Sequence, residues 1–232
     1  MKRLILFLIA LIISSCTKDT DINEVFSDFS VSIDQVSADG QSTVNVIAIL
    51  SSNADYDRRN VIFKTTSGSF LPSLTETATV KAEYDNGKLT AKATLKVSTK
   101  PGNVIVSVKP EFDSSVGEFI LEKTIIAVQS NVASIHLEPS SYGIGSNYLT
   151  DVKVVGTLKN SSGKSVSSGQ KVVFEDFLSD GTPANGKFRE MRSITASYSK
   201  VSCYCSIGTF QIGIPITIKC MNPIIQLTYL IQ

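Results

Sequence analysis

Hydrophobic and polar residues alternate at every second position along much of the chain after residue 29. The clearest example runs from Lys88 to Val97, where apolar residues occupy one set of alternate positions and Lys or Thr residues occupy the other. Successive side chains of a β-strand point to opposite faces, so this segment predicts a strand with one buried and one solvated face. No segment beyond residue 29 sustains a helical period, which predicts an all-β chain.

The same alternation, bounded by Gly, Asn, Asp and Pro, predicts roughly seven strands in each half of the chain. In the first half they lie near Val31–Ile33, Val44–Leu50, Val61–Thr65, Thr77–Glu83, Lys88–Val97, Val104–Lys109 and Phe119–Val128. In the second half they lie near Ala133–Leu137, Val152–Leu158, Lys171–Phe174, Lys187–Ile194, Val201–Ile207, Phe210–Lys219 and Ile224–Ile231. This density of short strands is typical of immunoglobulin-like sandwiches. We therefore expect two tandem domains, residues 29–129 and 130–232.

One predicted strand of the second domain contains a proline. Pro215 lies between Ile214 and Ile216, on the face opposite to the run of alternating isoleucines. Because proline cannot donate a hydrogen bond to a neighbouring strand, its presence predicts that this strand is at an edge or bulged.

The N-terminus has the pattern of a targeting signal. Lys2 and Arg3 precede an apolar run, Leu4–Ile13, which is too short to cross about 30 Å of hydrocarbon and suits a secretory signal peptide over residues 1–15. Ile13-Ser14-Ser15-Cys16 resembles the bacterial lipobox, in which the cysteine is acylated. Cys16 is thus the predicted lipid attachment site, and residues 16–28 are the predicted acylated cysteine and polar tether. An ordinary signal peptide with a chance cysteine is the alternative.

The residues after Cys16 bear on location. Lys18, Asp19 and Asp21 resemble the signal that sends some Bacteroidota lipoproteins to the outer face of the outer membrane, although any solvated linker is also polar. We expect a protein held in the outer membrane by its lipid, at the cell surface rather than on the periplasmic side.

Charge and composition restrict the function. The 232 residues include 22 Lys and Arg against 21 Asp and Glu, so no long-range field favours nucleic acid. The single histidine, His136, has no motif context, and we predict that the protein is not an enzyme. A glycosidase with two carboxylates is not excluded by counting, but a small sandwich seldom holds its cleft. No cofactor beyond the lipid on Cys16 and no metal site is expected.

Three cysteines remain in the second domain. Alignment of the two halves sets Cys203 and Cys205 where the first half has Ala91 and Ala93, at inward positions of a strand. They are interpreted as small buried hydrophobic residues, or as partners of Cys220 in a possible disulfide. Zinc bound by the three thiolates is the remaining alternative.

Several turn and strand motifs occur in a characteristic order. In the first half they are Ala38-Asp39-Gly40-Gln41-Ser42, Val61 to Phe70, Asn86 to Ala91 and Pro101 to Val106; the second half has a strand, Gly-containing hairpin and Val-x-Phe strand from Gly156 to Phe174. This order resembles the group 1 bacterial immunoglobulin-like domain of invasins and intimins. The resemblance implies stiff extracellular or periplasmic modules, often adhesin stalks, with no catalytic residues.

Two loops of the second domain are candidate binding loops. One carries Tyr142 and Tyr148, and the other carries Phe177 and Leu178. Aromatic residues on loops can anchor a partner, but they can also fold back over the ends of the sandwich.

The expected function is a lipid-anchored, non-enzymatic adhesion or interaction module of the cell envelope. Its partners would be the membrane, through the lipid, and a host protein, an envelope protein or a glycan. Two alternatives stay open. One is a glycan-binding accessory lipoprotein of an outer-membrane uptake system, which the absence of Trp disfavours. The other is a periplasmic structural scaffold.

Overall fold

The described part of the chain consists of strands and turns. The computed structural model describes residues 25–52, 54, 56–111, 119–140, 152–170, 172–176, 182–183, 187–192, 200–206, 214–221 and 224–231. These residues form seventeen strands and one short 3₁₀ turn, Tyr56–Arg58. The prediction of an all-β chain is confirmed.

Ten strands build the first sandwich. They are β1 (Phe26–Val31), β2 (Gln35–Ser37), β3 (Thr43–Leu50), β4 (Asn60–Thr65), β5 (Ser69–Leu71), β6 (Thr77–Lys81), β7 (Glu83–Asp85), β8 (Lys88–Lys96), β9 (Gly102–Pro110) and β10 (Leu121–Val128). One sheet has the order β1-β3-β8-β5, with β7 also paired to β8, and the other has the order β2-β10-β9-β4-β6. The pairs are antiparallel except for the parallel pair of β2 and β10. The crossing of strands between two sheets is the immunoglobulin-like arrangement.

The alternation seen in the sequence places apolar side chains between the two sheets. On β8, Leu89 and Leu95 are buried, whereas Lys88 and Lys92 on the other face are exposed. Phe63 and Phe70 meet in the core with ring centroids 6.2 Å apart. Truncating such a buried ring to Ala costs about 3–5 kcal/mol, so these contacts contribute much of the stability of the domain.

The turn between β7 and β8 follows from its two residues. Asn86 has φ 50° and Gly87 has φ 77°, both in the left-handed region. Asn-Gly is the preferred pair for a two-residue hairpin turn of this kind, because asparagine tolerates positive φ and glycine has no side chain to clash. The turn sets the register in which Asp85 is opposite Lys88.

Seven strands of the described residues build the second sandwich. They are β11 (Ser134–Pro139), β12 (Val152–Lys159), β13 (Val172–Asp176), β14 (Lys187–Arg192), β15 (Lys200–Ser206), β16 (Ile214–Met221) and β17 (Ile224–Ile231). One sheet has the order β11-β12-β15-β14 and the other has the order β13-β16-β17. Leu137, Val154, Leu158 and Phe174 are buried. The multiple sheets of both halves match the predicted fold class.

Strands of only three residues were not predicted by the alternation of hydrophobic and polar residues. β2 and β5 have three residues each, too few for alternation to be visible. β1 begins at Phe26, three residues before the predicted start of the first domain, and Ile33 is exposed outside it. The predicted hairpin from Gly156 to Phe174 contains its turn, with Gly163 at φ 73°, but β12 and β13 belong to different sheets.

The prediction from Pro215 was wrong about the edge. β16, which contains it, lies between β13 and β17 and is therefore central. The described residues of β13 end at Asp176, which is opposite Ile216 of β16, and Pro215 is opposite Leu230 of β17. The proline did not mark an edge because the other residues of β16 from Ile216 to Cys220 pair with both neighbouring strands.

Candidate binding surface

An aromatic and cationic cluster projects from one end of the first sandwich. Tyr56 is on the 3₁₀ turn between β3 and β4, and Tyr84 is on β7; they are 66% and 59% exposed. The Cζ of Arg59 is 5.6 Å from the ring centroid of Tyr56 and 5.3 Å from that of Tyr84. The Nζ of Lys81 is 3.4 Å from the Tyr56 centroid. The tyrosine cluster, defined by these four residues, thus combines two rings and two positive charges.

Backbone hydrogen bonds fix the loop that carries the cluster. The amide of Ser51 donates to the carbonyl of Val25 at 3.0 Å, and the amide of Ala82 donates to the carbonyl of Arg59 at 2.8 Å. The Nε of Arg59 donates to the carbonyl of Ala54 at 3.2 Å. The guanidinium is consequently oriented by the loop itself, which lowers the entropy lost when a ligand binds.

Two described carboxylates of this end have partners of their own. Asp85 forms an ion pair with Lys92, and Glu111 accepts a hydrogen bond from the Nδ2 of Asn60 at 2.7 Å. Among the described residues, no carboxylate lies within ion-pair distance of Arg59 or Lys81. These two cations contact the tyrosine rings instead.

The opposite end of the first sandwich is joined closely to the second. Only five residues separate Val128, the end of β10, from Ser134, the start of β11. The Oγ of Ser167 donates to the carbonyl of Ala38 at 2.8 Å and accepts from the amide of Ser130 at 2.7 Å. The amide of Ser168 donates to the carbonyl of Thr99 at 2.8 Å. The loop before β13 is therefore bonded directly to the first sandwich.

A buried carboxylate organises the first sandwich's side of this joint. Asp39 is 1% exposed and accepts bonds from the amides of Gln41 and Ser42 and from the Ser42 hydroxyl, at 2.6–2.8 Å. The Nζ of Lys164 lies 3.0 Å from the Oγ of Ser42 and 3.9 Å from the Oδ2 of Asp39. Burial alone would raise the pKa of Asp39, but these hydrogen bonds and the Lys164 charge outweigh burial and hold that pKa below its ordinary value.

A polar cleft of about 450 Å³ opens beside the joint. Asp39, Lys164 and the turn at Asn160–Ser162 line it, together with the connecting residues 129–133. Because Asp39 and Lys164 are already bonded within the joint, we interpret the cleft as the solvated side of a structural contact.

Most of the residues predicted from sequence to function lie outside the described residues. These are Cys16, the predicted lipid site, and the loop residues Tyr142, Tyr148, Phe177 and Leu178. The flanking strand ends are described: Pro139 ends β11 and Asp176 ends β13, both away from the joint with the first sandwich. Both candidate loops therefore leave their sheets at the same distal end.

The backbone of the three remaining cysteines is described, and the possible disulfide stays a prediction. Cys203 is opposite Val154 and Cys205 is opposite Val152 in the sheet of β11, β12, β15 and β14. Cys220 is opposite Val172 in the other sheet of the same sandwich. The alignment that matched Cys203 with Ala91 and Cys205 with Ala93 agrees with the common position of β8 and β15 in their sheets.

His136 is exposed, as expected from its place on β11. Its Nε2 is 3.4 Å from the Oε1 of Glu138. Within the described ranges no group of His, Cys, Asp and Glu has the arrangement of a metal site. In that same part of the chain, no helix has the length and apolarity needed to span a membrane.

The tyrosine cluster itself was missed in the sequence. Tyr56 follows a polar stretch and Tyr84 precedes an Asp-Asn-Gly turn, so each looked like an ordinary loop or turn residue. A cationic residue close to each tyrosine, Arg59 and Lys81, was the only available signal. Their spatial convergence depends on the packing of β4, β6 and β7, which local pattern does not reveal.

Comparison with known proteins supports the fold. No family model and no curated protein matches the chain. Among solved structures, the chain is similar to invasin, titled a bacterial integrin-binding protein, with 18% identity and a TM-score of 0.56 over 87% of this chain and 38% of that one. The Yersinia pseudotuberculosis protein InvD gives 15% identity and a TM-score of 0.41 over 88% of this chain and 56% of that one.

The D0-D1 domain of intimin gives 19% identity and a TM-score of 0.32 over 88% of this chain and 99% of that one. Of these three similarities, the one to invasin has a TM-score above 0.5, and it shows a shared immunoglobulin-like fold. The chain spans little more than a third of the length of the invasin structure.

Proposed function

We propose that the protein is a lipid-anchored, non-enzymatic adhesion or interaction module of the cell envelope, exposed on the cell surface. The observation that carries this proposal is the joint between the two sandwiches. A connection of five residues and the bridging hydroxyl of Ser167 join the two domains directly. A direct joint of this kind is suited to holding a binding surface at a fixed distance and angle from its attachment point.

Two further observations support the proposal. The invasin structure to which this chain is similar in fold carries the description of an integrin-binding protein, which is an adhesion function of that protein. The N-terminal Lys2, Arg3 and apolar run before Cys16 have the order of a lipoprotein signal. An acylated Cys16 would attach the first sandwich, and the distal loops of the second would point away from the membrane.

The chemistry of the described residues favours binding over catalysis. The single histidine is at the surface beside Glu138. Asp39, a buried carboxylate with a lowered pKa, is engaged in the joint. Its pKa shift is thus explained by a structural role.

Location and lipidation can be tested together. Cells expressing the protein are labelled with a palmitate analogue, then treated with protease while intact or after lysis, and residues 29–232 are detected by immunoblot. We expect label on the wild type, none on Cys16→Ser, and loss of the protein from intact cells. Label with protection in intact cells would contradict surface exposure and favour the periplasmic scaffold. Absence of label would contradict the anchor.

A second candidate function has one specific observation in its favour. The exposed rings of Tyr56 and Tyr84 supply the aromatic platform that a glycan-binding accessory lipoprotein needs, in a chain without Trp. The test is binding of fluorescent polysaccharides to cells that express the protein. If cells with Tyr56→Ala bind them as well as cells with the wild type, this candidate is wrong.

A further inference from the structure

We propose that the tyrosine cluster binds a carboxylated sugar residue of an acidic polysaccharide. This proposal rests on the interaction role given above and names the ligand class for one end of the first sandwich. The site consists of Tyr56, Arg59, Lys81 and Tyr84, none of which was a candidate in the sequence.

The two rings have no role in the core. Tyr56 and Tyr84 are among the most exposed large hydrophobic residues of the described chain, while the core beneath is closed by smaller buried side chains such as Leu50 and Leu89. An exposed aromatic ring presents an apolar face that the C–H groups of a pyranose can cover, and the Tyr84 hydroxyl already donates to the carbonyl of Ser52 at 3.4 Å. Covering the rings therefore recovers apolar area without burying an unsatisfied polar atom.

The two cations supply the charge selectivity. Arg59 uses its Nε to bond the carbonyl of Ala54, which leaves the terminal nitrogens of its guanidinium directed by the loop. A carboxylate fits these nitrogens in the two-bond geometry that makes arginine its preferred partner. Lys81, with its Nζ 3.4 Å from the centroid of the Tyr56 ring, adds a second positive charge to the cluster.

The distribution of charge favours a sugar over a membrane. Glu83, Asp85 and Glu111 are exposed at the same end of the sandwich, so a flat anionic bilayer would meet carboxylates as well as cations. A single sugar carboxylate needs only the guanidinium of Arg59 and the ammonium of Lys81 as partners. The small extent of the cluster also disfavours a protein partner, since stable protein interfaces cover about 800 Å² on each side.

The test is isothermal titration of the purified full chain, carrying Cys16→Ser to remove the acylation site. The probes are oligogalacturonate, neutral dextran oligosaccharide, dextran sulfate and vesicles that contain phosphatidylglycerol. We expect oligogalacturonate to bind and neutral dextran not to bind. Tyr56→Ala and Arg59→Gln should each weaken oligogalacturonate binding about tenfold or more, as anchor residues do.

Two control variants test whether binding depends on this site rather than on the overall charge of the protein. Thermal unfolding tests whether the variants still fold. Tyr56→Phe keeps the ring and should keep the affinity, and Lys64→Gln removes an exposed cation of β4 and should change nothing. Thermal unfolding of every variant should match the parent chain. Equal binding of dextran sulfate, preferential binding of vesicles, full affinity in Tyr56→Ala, or no binding of oligogalacturonate would each overturn the proposal.

These outcomes are independent of the location assay. A chain that is lost on protease treatment of intact cells but does not bind oligogalacturonate would overturn the ligand class alone. A chain that binds oligogalacturonate but is protected in intact cells would retain the sugar site and lose the surface location.

Discussion

The two ends of the first sandwich differ in the burial and hydrogen bonding of their polar side chains. At the joint, Asp39 and Ser167 are almost completely buried, and each is satisfied by several hydrogen bonds. At the tyrosine cluster, Lys81 is exposed and Arg59 is half-buried, and both contact aromatic rings. Satisfied buried groups fix a geometry, whereas exposed rings beside cations remain able to interact with a ligand.

Because of this difference, the joint should contribute mainly to stability and the tyrosine cluster mainly to binding. Removing a partner from a buried network leaves the remaining groups unsatisfied, which is costly. Removing an exposed ring leaves only water in its place. Substitutions at the joint should therefore change folding or domain geometry, and substitutions at the tyrosine cluster should change binding alone.

Among substitutions at the two ends, the largest effect on stability is expected for Asp39→Ala. The substitution removes the acceptor of two backbone amides and of the Ser42 hydroxyl and should lower the free energy of unfolding by about 2 kcal/mol. Urea unfolding of the full chain measures the loss. Asp34→Ala, at an exposed position between β1 and β2, is the control and should change stability little. Equal stability of the two variants would show that Asp39 does not organise the joint.

The Asp39 contribution should also depend on pH. Because its pKa is lowered in the folded state, the carboxylate stabilises the fold fully above the unfolded value of 3.8, and this stabilisation is lost as pH falls through the folded pKa. The difference between wild type and Asp39→Ala should therefore be constant near neutral pH and shrink below 3.8. A difference that grows on acidification would contradict the assignment.

A smaller effect on stability, but a larger one on geometry, is expected for Ser167→Ala. The variant leaves the carbonyl of Ala38 and the amide of Ser130 without their shared hydroxyl, at a cost of about 1–2 kcal/mol. Hydrogen exchange of the Ser130 amide should accelerate about tenfold, and small-angle scattering should detect a wider range of interdomain angles. Ser161→Ala, in the exposed turn nearby, should show neither change. Unchanged scattering would mean that the joint does not depend on this hydroxyl.

The joint illustrates how much the sequence could predict. The turn Ala38-Asp39-Gly40-Gln41-Ser42 was recognised as a motif, and Gly40 indeed has a positive φ of 71°. Its link to the second sandwich was not predictable, because the partners of Gln41 and Ser42 are more than 120 residues away. Alternation and turn residues are local signals, and a contact between domains leaves no local pattern.

The strands also show what local sequence patterns can and cannot predict. Long alternating strands such as β3 and β8 were predicted to within one residue at their ends, because each buries one complete face. The three-residue β2 exists only through its pairing with β10, and β5 through its pairing with β8. Tyr56 is on the turn before β4 and Tyr84 is on the three-residue β7, so their convergence could not be predicted either.

Lys164→Gln should have a modest effect that depends on salt. Lys164 is half-exposed, so its attraction to Asp39 across 3.9 Å is partly screened and should contribute no more than about 0.5–1 kcal/mol. Urea unfolding in low and high salt measures it: the variant should be slightly less stable than wild type at low salt, and the two should converge as salt increases. A difference that does not change with salt would assign the effect to the hydrogen bond with Ser42 rather than to charge.

The smallest effect on stability is expected at the tyrosine cluster. Tyr56→Ser and Tyr84→Ser each remove a mostly exposed ring and should change the free energy of unfolding by less than about 0.5 kcal/mol. Phe63→Ala, in the core beneath β4, is the matched aromatic control and should cost several times more. Urea unfolding of the three variants makes the comparison directly. A loss of 2 kcal/mol or more in a tyrosine variant, set against about 3–5 kcal/mol for a core ring, would mean that the cluster supports the fold and would remove the contrast between the two ends.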